Sequence, residues 1–133
     1  MSRRDWARRG LALFYGLAGV LHLVAPHPFV SIVPPWVPLP DLIVALTGLA
    51  EIAGAIGLVQ GRAPGLRRGA GWGLALYALC VWPANVQHML LDLARPSGGL
   101  PLAYHVPRLA AQPLLIWLAL WVGGATDWPF RRR

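Results

Sequence analysis

The sequence predicts an all-α membrane protein, a four-transmembrane-helix bundle forming one domain over residues 1–133, with both termini cytoplasmic. Three observations lead there. Of 133 residues, 56% are hydrophobic and 13% charged, against about 25% charged in soluble domains. A chain this short has a large surface for its volume and would need more polar side chains to cover it in water. Four apolar segments recur, and four spans of ~20 residues each still leave room for connections and tails. Finally, the twelve basic residues are all arginine, and ten of them gather in three clusters: Arg3, Arg4, Arg8 and Arg9; Arg62, Arg67 and Arg68; Arg131, Arg132 and Arg133. Short basic clusters between apolar stretches are a topology signal, so the net charge of +7 does not point to nucleic acid. The single cysteine, Cys80, excludes an internal disulfide and a C-x-x-C redox pair.

The first span is expected at about residues 10–25, directly after the basic tail. A cleaved signal peptide competes with it, but Leu23 and Ala25 make a poor small-x-small cleavage site and His22 interrupts the apolar core. Residues 26–40 (PHPFVSIVPPWVPLP) hold too many prolines for a regular helix. They are expected to lie at the membrane surface or to fold back as a lid. The second span, 41–60, is apolar apart from Glu51 near its midpoint. A short connection over 61–68 has Pro64 and Gly65 as turn residues. The third span, 69–91, contains Pro83; residues 92–103 read as a polar Gly/Pro loop; the fourth span, 104–123, contains Pro113. With the N-terminus inside, ten arginines fall on the inner side and only Arg95 and Arg108 on the outer, which sets the orientation.

Ionisable groups within a span cost about 2.5–3.5 kcal/mol each at the helix centre on insertion scales and usually face the bundle interior. Here they concentrate in the outer half. Asn85, His88 and Asp92 follow i, i+3, i+7, and His105, Arg108 and Gln112 do the same on the fourth span, so each trio shares one helical face. Thr47, Gly48, Gly54 and Ala55 share the face of Glu51 and are small, which favours close helix approach. Glu51 is therefore expected to point inward and pair with Arg108. Such a pair, with its amide neighbours, is also what a purely structural device for fixing helix register looks like. His22 and His88 at similar depth would suit bis-histidine haem ligation, a reading outweighed by ordinary interfacial histidines. Cys80 reads as a small core residue.

Five segments together resemble the DoxX-like family of small four-helix membrane proteins. They are Gly19-Val20-Leu21-His22, Ile32-Val33-Pro34-Pro35-Trp36-Val37-Pro38, Thr47-Gly48-Leu49-Ala50-Glu51-Ile52-Ala53-Gly54, Pro83-Ala84-Asn85-Val86-Gln87 and Arg108-Leu109-Ala110-Ala111-Gln112. The resemblance covers about residues 10–122, and its specific parts are the IVPP-x-x-P and PAN motifs. It implies a four-helix bundle and an association with quinone-linked membrane redox metabolism, since some relatives are subunits of thiosulfate:quinone oxidoreductase. Two positions depart from the family pattern: Ala110 stands where proline is usual, and His88 where methionine is more common.

These readings converge on an inner-membrane, multi-pass protein with a small-molecule pocket formed by His22, Glu51, Asn85, His88, Arg108 and Gln112. A quinone is the ligand the resemblance implies, with Arg108 or His88 donating to a ring oxygen and Glu51 positioning Arg108 or relaying a proton. Membrane lipids are the expected surroundings, nucleic acid is not an expected partner, and a redox partner protein and self-association stay open. No nucleophile–base pair, nucleotide-binding loop or zinc-ligand spacing is present, so no enzyme class is assigned. The alternative is a non-enzymatic structural or assembly factor whose polar cluster only fixes packing.

Overall fold

The computed structural model describes residues 1–130, in which five helices follow one another: α1 (Arg3–Val24), α2 (His27–Val30), α3 (Pro40–Val59), α4 (Pro64–Leu93) and α5 (Leu102–Gly123). Arg131, Arg132 and Arg133, the C-terminal basic cluster, lie outside the described residues. Each long helix packs against its neighbours in chain order, and α1 touches α5 to close the ring. That leaves α3 and α5 diagonal to each other.

Three of the four long helices, α3, α4 and α5, are long and apolar enough to cross a membrane. The first of the four expected spans, in α1, does not meet that measure. The reason lies in α1, which does not start after the basic tail but runs through it, so that Arg3, Arg4, Arg8 and Arg9 all belong to the helix. Ser2 starts it: its hydroxyl accepts from the Asp5 N–H at 3.2 Å and its own N–H donates to Asp5 Oδ2 at 2.9 Å, a reciprocal capping box. The arginines then become structural. Arg4 Nε donates to the Trp121 carbonyl at 2.7 Å and Arg8 Nε to the Val122 carbonyl at 2.9 Å. They reach carbonyls in the last turn of α5, where the helix dipole also favours positive charge.

The α1–α3 seam is set by glycine. A Cβ placed on Gly19 would stand 2.5 Å from the Gly48 carbonyl oxygen, and one on Gly48 would stand 2.8 Å from His22 Cβ. Only hydrogen at both positions allows this separation. The apolar core lies toward the end where α1 begins and α5 finishes, with Leu11, Tyr15, Leu58, Leu74 and Val122 buried in it. The polar side chains collect toward the opposite end.

The connections are tighter than their sequences suggest. Helix α4 begins at Pro64 and runs to Leu93, so the first connection shrinks to a few residues and Asp92 becomes helical instead of loop. Gln60 closes that connection: its Oε1 accepts from the Arg62 and Ala63 N–H groups, and its Nε2 donates to the Gly57 and Ala63 carbonyls. Between α1 and α3 the proline-rich segment carries the single turn of α2 and ends at Leu39, which has φ 51° between Pro38 and Pro40. That left-handed value is uncommon for a residue other than glycine.

Candidate functional site

A cavity of about 470 Å³ opens among the four long helices, within the size range of small-molecule pockets. Its walls are mainly apolar, and the proline-rich segment contributes Phe29, Val33 and Trp36 to them. The segment thus folds over the bundle as a lid, one of its two expected placements. Phe29 is anchored by stacking on the His22 ring, with centroids 3.8 Å apart and planes at 23°.

Five of the six residues expected to form a pocket, His22, Glu51, Asn85, Arg108 and Gln112, line this one cavity. They come from α1, α3, α4 and α5, so the bundle assembles them only when all four helices pack. His88 stands behind the wall and accepts a hydrogen bond from Arg108, Nη1 to Nδ1 2.6 Å.

Glu51 is 3% exposed, and its expected pairing with Arg108 is not what the structure holds. Its Oε2 lies 3.0 Å from His22 Nδ1. The glycine seam presses α1 onto α3 and carries His22 to it, whereas Arg108 sits on the diagonal helix. The His22 Nδ1 proton is directed to the Ala18 carbonyl, one helical turn back, at 2.8 Å. Glu51 Oε2 is consequently close to a donor yet without a hydrogen bond. Gln112 Oε1, also buried in the cavity wall, has none either. The Tyr77 hydroxyl faces the Glu51 carboxylate. The cavity wall thus carries acceptor oxygens on Glu51 and Gln112 and one cation, Arg108, whose guanidinium also lies over the Tyr104 ring, 5.8 Å from its centre.

Behind Arg108 a second cluster ties α4 to α5. Asp92, 2% exposed, accepts from His105 Nε2 at 3.0 Å, and His105 is 1% exposed. Asp92 Oδ2 also lies 3.2 Å from His88 Nε2, and its Oδ1 lies 3.1 Å from Arg95 Nη1. The loop closes directly over Asp92: a Cβ on Gly99 would stand 2.5 Å from Asp92 Cβ. Asp92 and His105 are not among the residues expected in the pocket, and neither lines the cavity. The signal for their cluster was present in the i, i+4 spacing of His88 and Asp92, but assigning residue 92 to a loop hid it. His22 and His88, whose similar depth would suit haem ligation, belong to separate clusters, His22 with Glu51 and His88 with Asp92.

His88, Asp92 and His105 offer three donor atoms within 4.8 Å of one another, so the cluster invites comparison with a metal site. The hydrogen bonding argues against that use. Arginine only donates, so its bond to His88 Nδ1 requires that nitrogen to be bare and places the ring proton on Nε2. A metal would need that same Nε2. Two guanidinium groups, Arg95 and Arg108, already balance the one carboxylate. The arrangement is a carboxylate between two imidazoles, hydrogen-bonded to His105 and in ion-pair range of His88.

Residues 11–123 match the family model described as Domain of unknown function (DUF8561). No curated protein and no solved structure matches the chain.

Proposed function

The chain belongs to the DUF8561 family, and we propose that it is a membrane-embedded binding protein that holds a small amphipathic molecule, quinone-like in character, inside its helix bundle. The observation that carries this reading is the pairing of an apolar cavity with buried oxygens on Glu51 and Gln112 that have no hydrogen-bond partner. Unsatisfied buried acceptors are costly, about 1–3 kcal/mol each. A ligand with an apolar ring body and a hydroxyl group, as in a quinol, relieves that cost by donating to one of these acceptors, while its far oxygen has Arg108 available as a donor. The resemblance to DoxX-like proteins adds the association with quinone-linked redox metabolism, in which this chain acts as an accessory or subunit. A structural or assembly role is the second reading, favoured by the Asp92–His105 bond, which joins α4 to α5 outside the cavity.

In this reading the protein is a four-span inner-membrane protein with both termini cytoplasmic. The fourth span is the apolar part of α1 from Leu11 onward. Its outward face carries Leu13, Phe14, Leu17, Val20 and Val24, all 46–71% exposed, a stripe that calls for apolar surroundings. Arg4 and Arg8 then lie at the inner interface and the lid at the outer one.

The test is purification in mild detergent, followed by an absorption spectrum and mass spectrometry of extracted lipids and quinones. A co-purifying quinone that is lost in Ala111→Phe, a change that fills the cavity, is the expected result. Quinone-free preparations of well-folded protein overturn the ligand reading and leave the structural one.

A further inference from the structure

We infer that Asp92 is a positioning residue for the cavity: acting through His88, it holds the Arg108 guanidinium in the wall where a ligand oxygen would meet it. The inference rests on the reading of the cavity as a ligand site, and it deepens that reading by assigning the chemistry of one end of the ligand. A guanidinium held in place recognises an acceptor, either a carbonyl or an anionic oxygen.

The logic is that of a carboxylate–imidazole pair. A neutral imidazole has one bare nitrogen and one N–H, and which is which follows from the neighbours. Asp92 Oδ2 lies 3.2 Å from His88 Nε2, which favours the proton on that side. Nδ1 is then bare and accepts from Arg108 at 2.6 Å. Asp92 is itself immobilised: it is buried, bonded to His105 and overlaid by Gly99. Every link is fixed by the one behind it, ending at a side chain that lines the cavity.

The groups facing His88 are Asp92 on its own helix, Arg95 just beyond that helix, and Arg108, His105 and Tyr104 on α5. Among the charged ones, only Asp92 is negative. When His88 takes up a proton, Nδ1 can no longer accept, and the imidazolium repels the guanidinium it held. Arg108 is released, so the wall presents a fixed donor when His88 is neutral and a loose one when it is charged.

Two measurements test this. The first needs no ligand: nitrogen-15 NMR of histidine-labelled protein in detergent at neutral pH, with the His88 signals assigned by their loss in His88→Met. A neutral ring protonated at Nε2 is expected; a proton on Nδ1, or a charged ring, overturns the inference. The second measures the Kd of a short-chain ubiquinone across pH 5–8, where histidines usually change charge. The wild type should bind roughly tenfold more weakly once His88 is protonated. Asp92→Asn should lose most of the neutral-pH affinity, and His88→Gln, which keeps an acceptor but cannot titrate, should retain it with a flat pH profile. A pH step that survives in His88→Gln overturns the inference. If the wild type does not bind the probe, the ligand reading fails, and the imidazole spectrum alone decides the role of Asp92.

Discussion

Glu51 on α3 and His22 on α1 face each other across the glycine seam between these helices, with Oε2 and Nδ1 3.0 Å apart. Neither has an alternative ionisable partner at that distance among the described residues. Neighbours of this kind couple energetically by about 0.5–3 kcal/mol, whereas residues without shared partners add within about 0.5 kcal/mol. A double-mutant cycle on thermal unfolding in detergent, using Glu51→Gln and His22→Leu, should therefore show a coupling. The same cycle with Glu51→Gln and Arg108→Leu should be additive. Coupling only in the second cycle would mean that the carboxylate pairs across the diagonal.

The glycine seam allows a sharper prediction about stability. Gly19→Ala sets a methyl group against a backbone carbonyl that cannot move independently of α3. Overpacking of this kind costs about 1–3 kcal/mol. The variant should lower the unfolding temperature and weaken the His22–Glu51 contact along with it. Gly73→Ala on α4, where a Cβ meets nothing within 4 Å, is the control and should be neutral or slightly stabilising. Equal effects at the two positions would show that α1 and α3 do not approach as described.

Acid should loosen the start of α1 before it affects the bundle. Hydrogen bonds from the Ser2 backbone and hydroxyl, helped by Arg8, hold the Asp5 carboxyl at about 2, below the usual carboxylate range of about 3.9. A group whose folded value is depressed contributes stability above its unfolded value and loses it as pH falls through the folded one. Protection of the first turn against hydrogen exchange should thus be intact above about pH 5 and disappear as pH approaches 2. Ser2→Ala should move that loss to higher pH. Protection that stays constant down to pH 2 would show that the cap does not stabilise the turn.

The proposed topology makes its own demand. Reporter fusions at the lid and in the α4–α5 connection should be active outside the cytoplasm, while fusions at either terminus and after Gln60 should be active inside. A terminus on each side would require an odd number of spans and would remove α1 from the membrane.

How much of this was legible in the sequence differs by element. The apolar runs of α3, α4 and α5 carried their own evidence, and so did the inward placement of Glu51, Asn85 and Gln112, because helical periodicity decides which residues share a face. Pairing was not legible. It depends on which helices are adjacent and which are diagonal, and the glycines that press α1 onto α3 say nothing about α5 until the ring is closed. Helix ends were the other gap: Gly and Pro around residues 95–101 advertised a loop, yet α4 keeps its hydrogen bonding as far as Leu93. Asp92 was on the expected face and in the wrong element. The arginines of α1 were read only as charges against a membrane, although two of them reach carbonyl oxygens at the end of α5.

The lid joins α3 through Leu39, held at a left-handed φ with a proline on either side. Proline rings remove the φ rotations by which a loop ordinarily softens, and little chain entropy is recovered by unfolding a segment that had so few conformations to begin with. The segment behaves as a plate on a stiff bracket, not as a curtain. If the cavity takes a guest as proposed, exchange past the plate should require it to swing as one piece, with a single rate constant and a steep temperature dependence. Replacing Pro38 or Pro40 with alanine would turn that discrete gate into a leaky one.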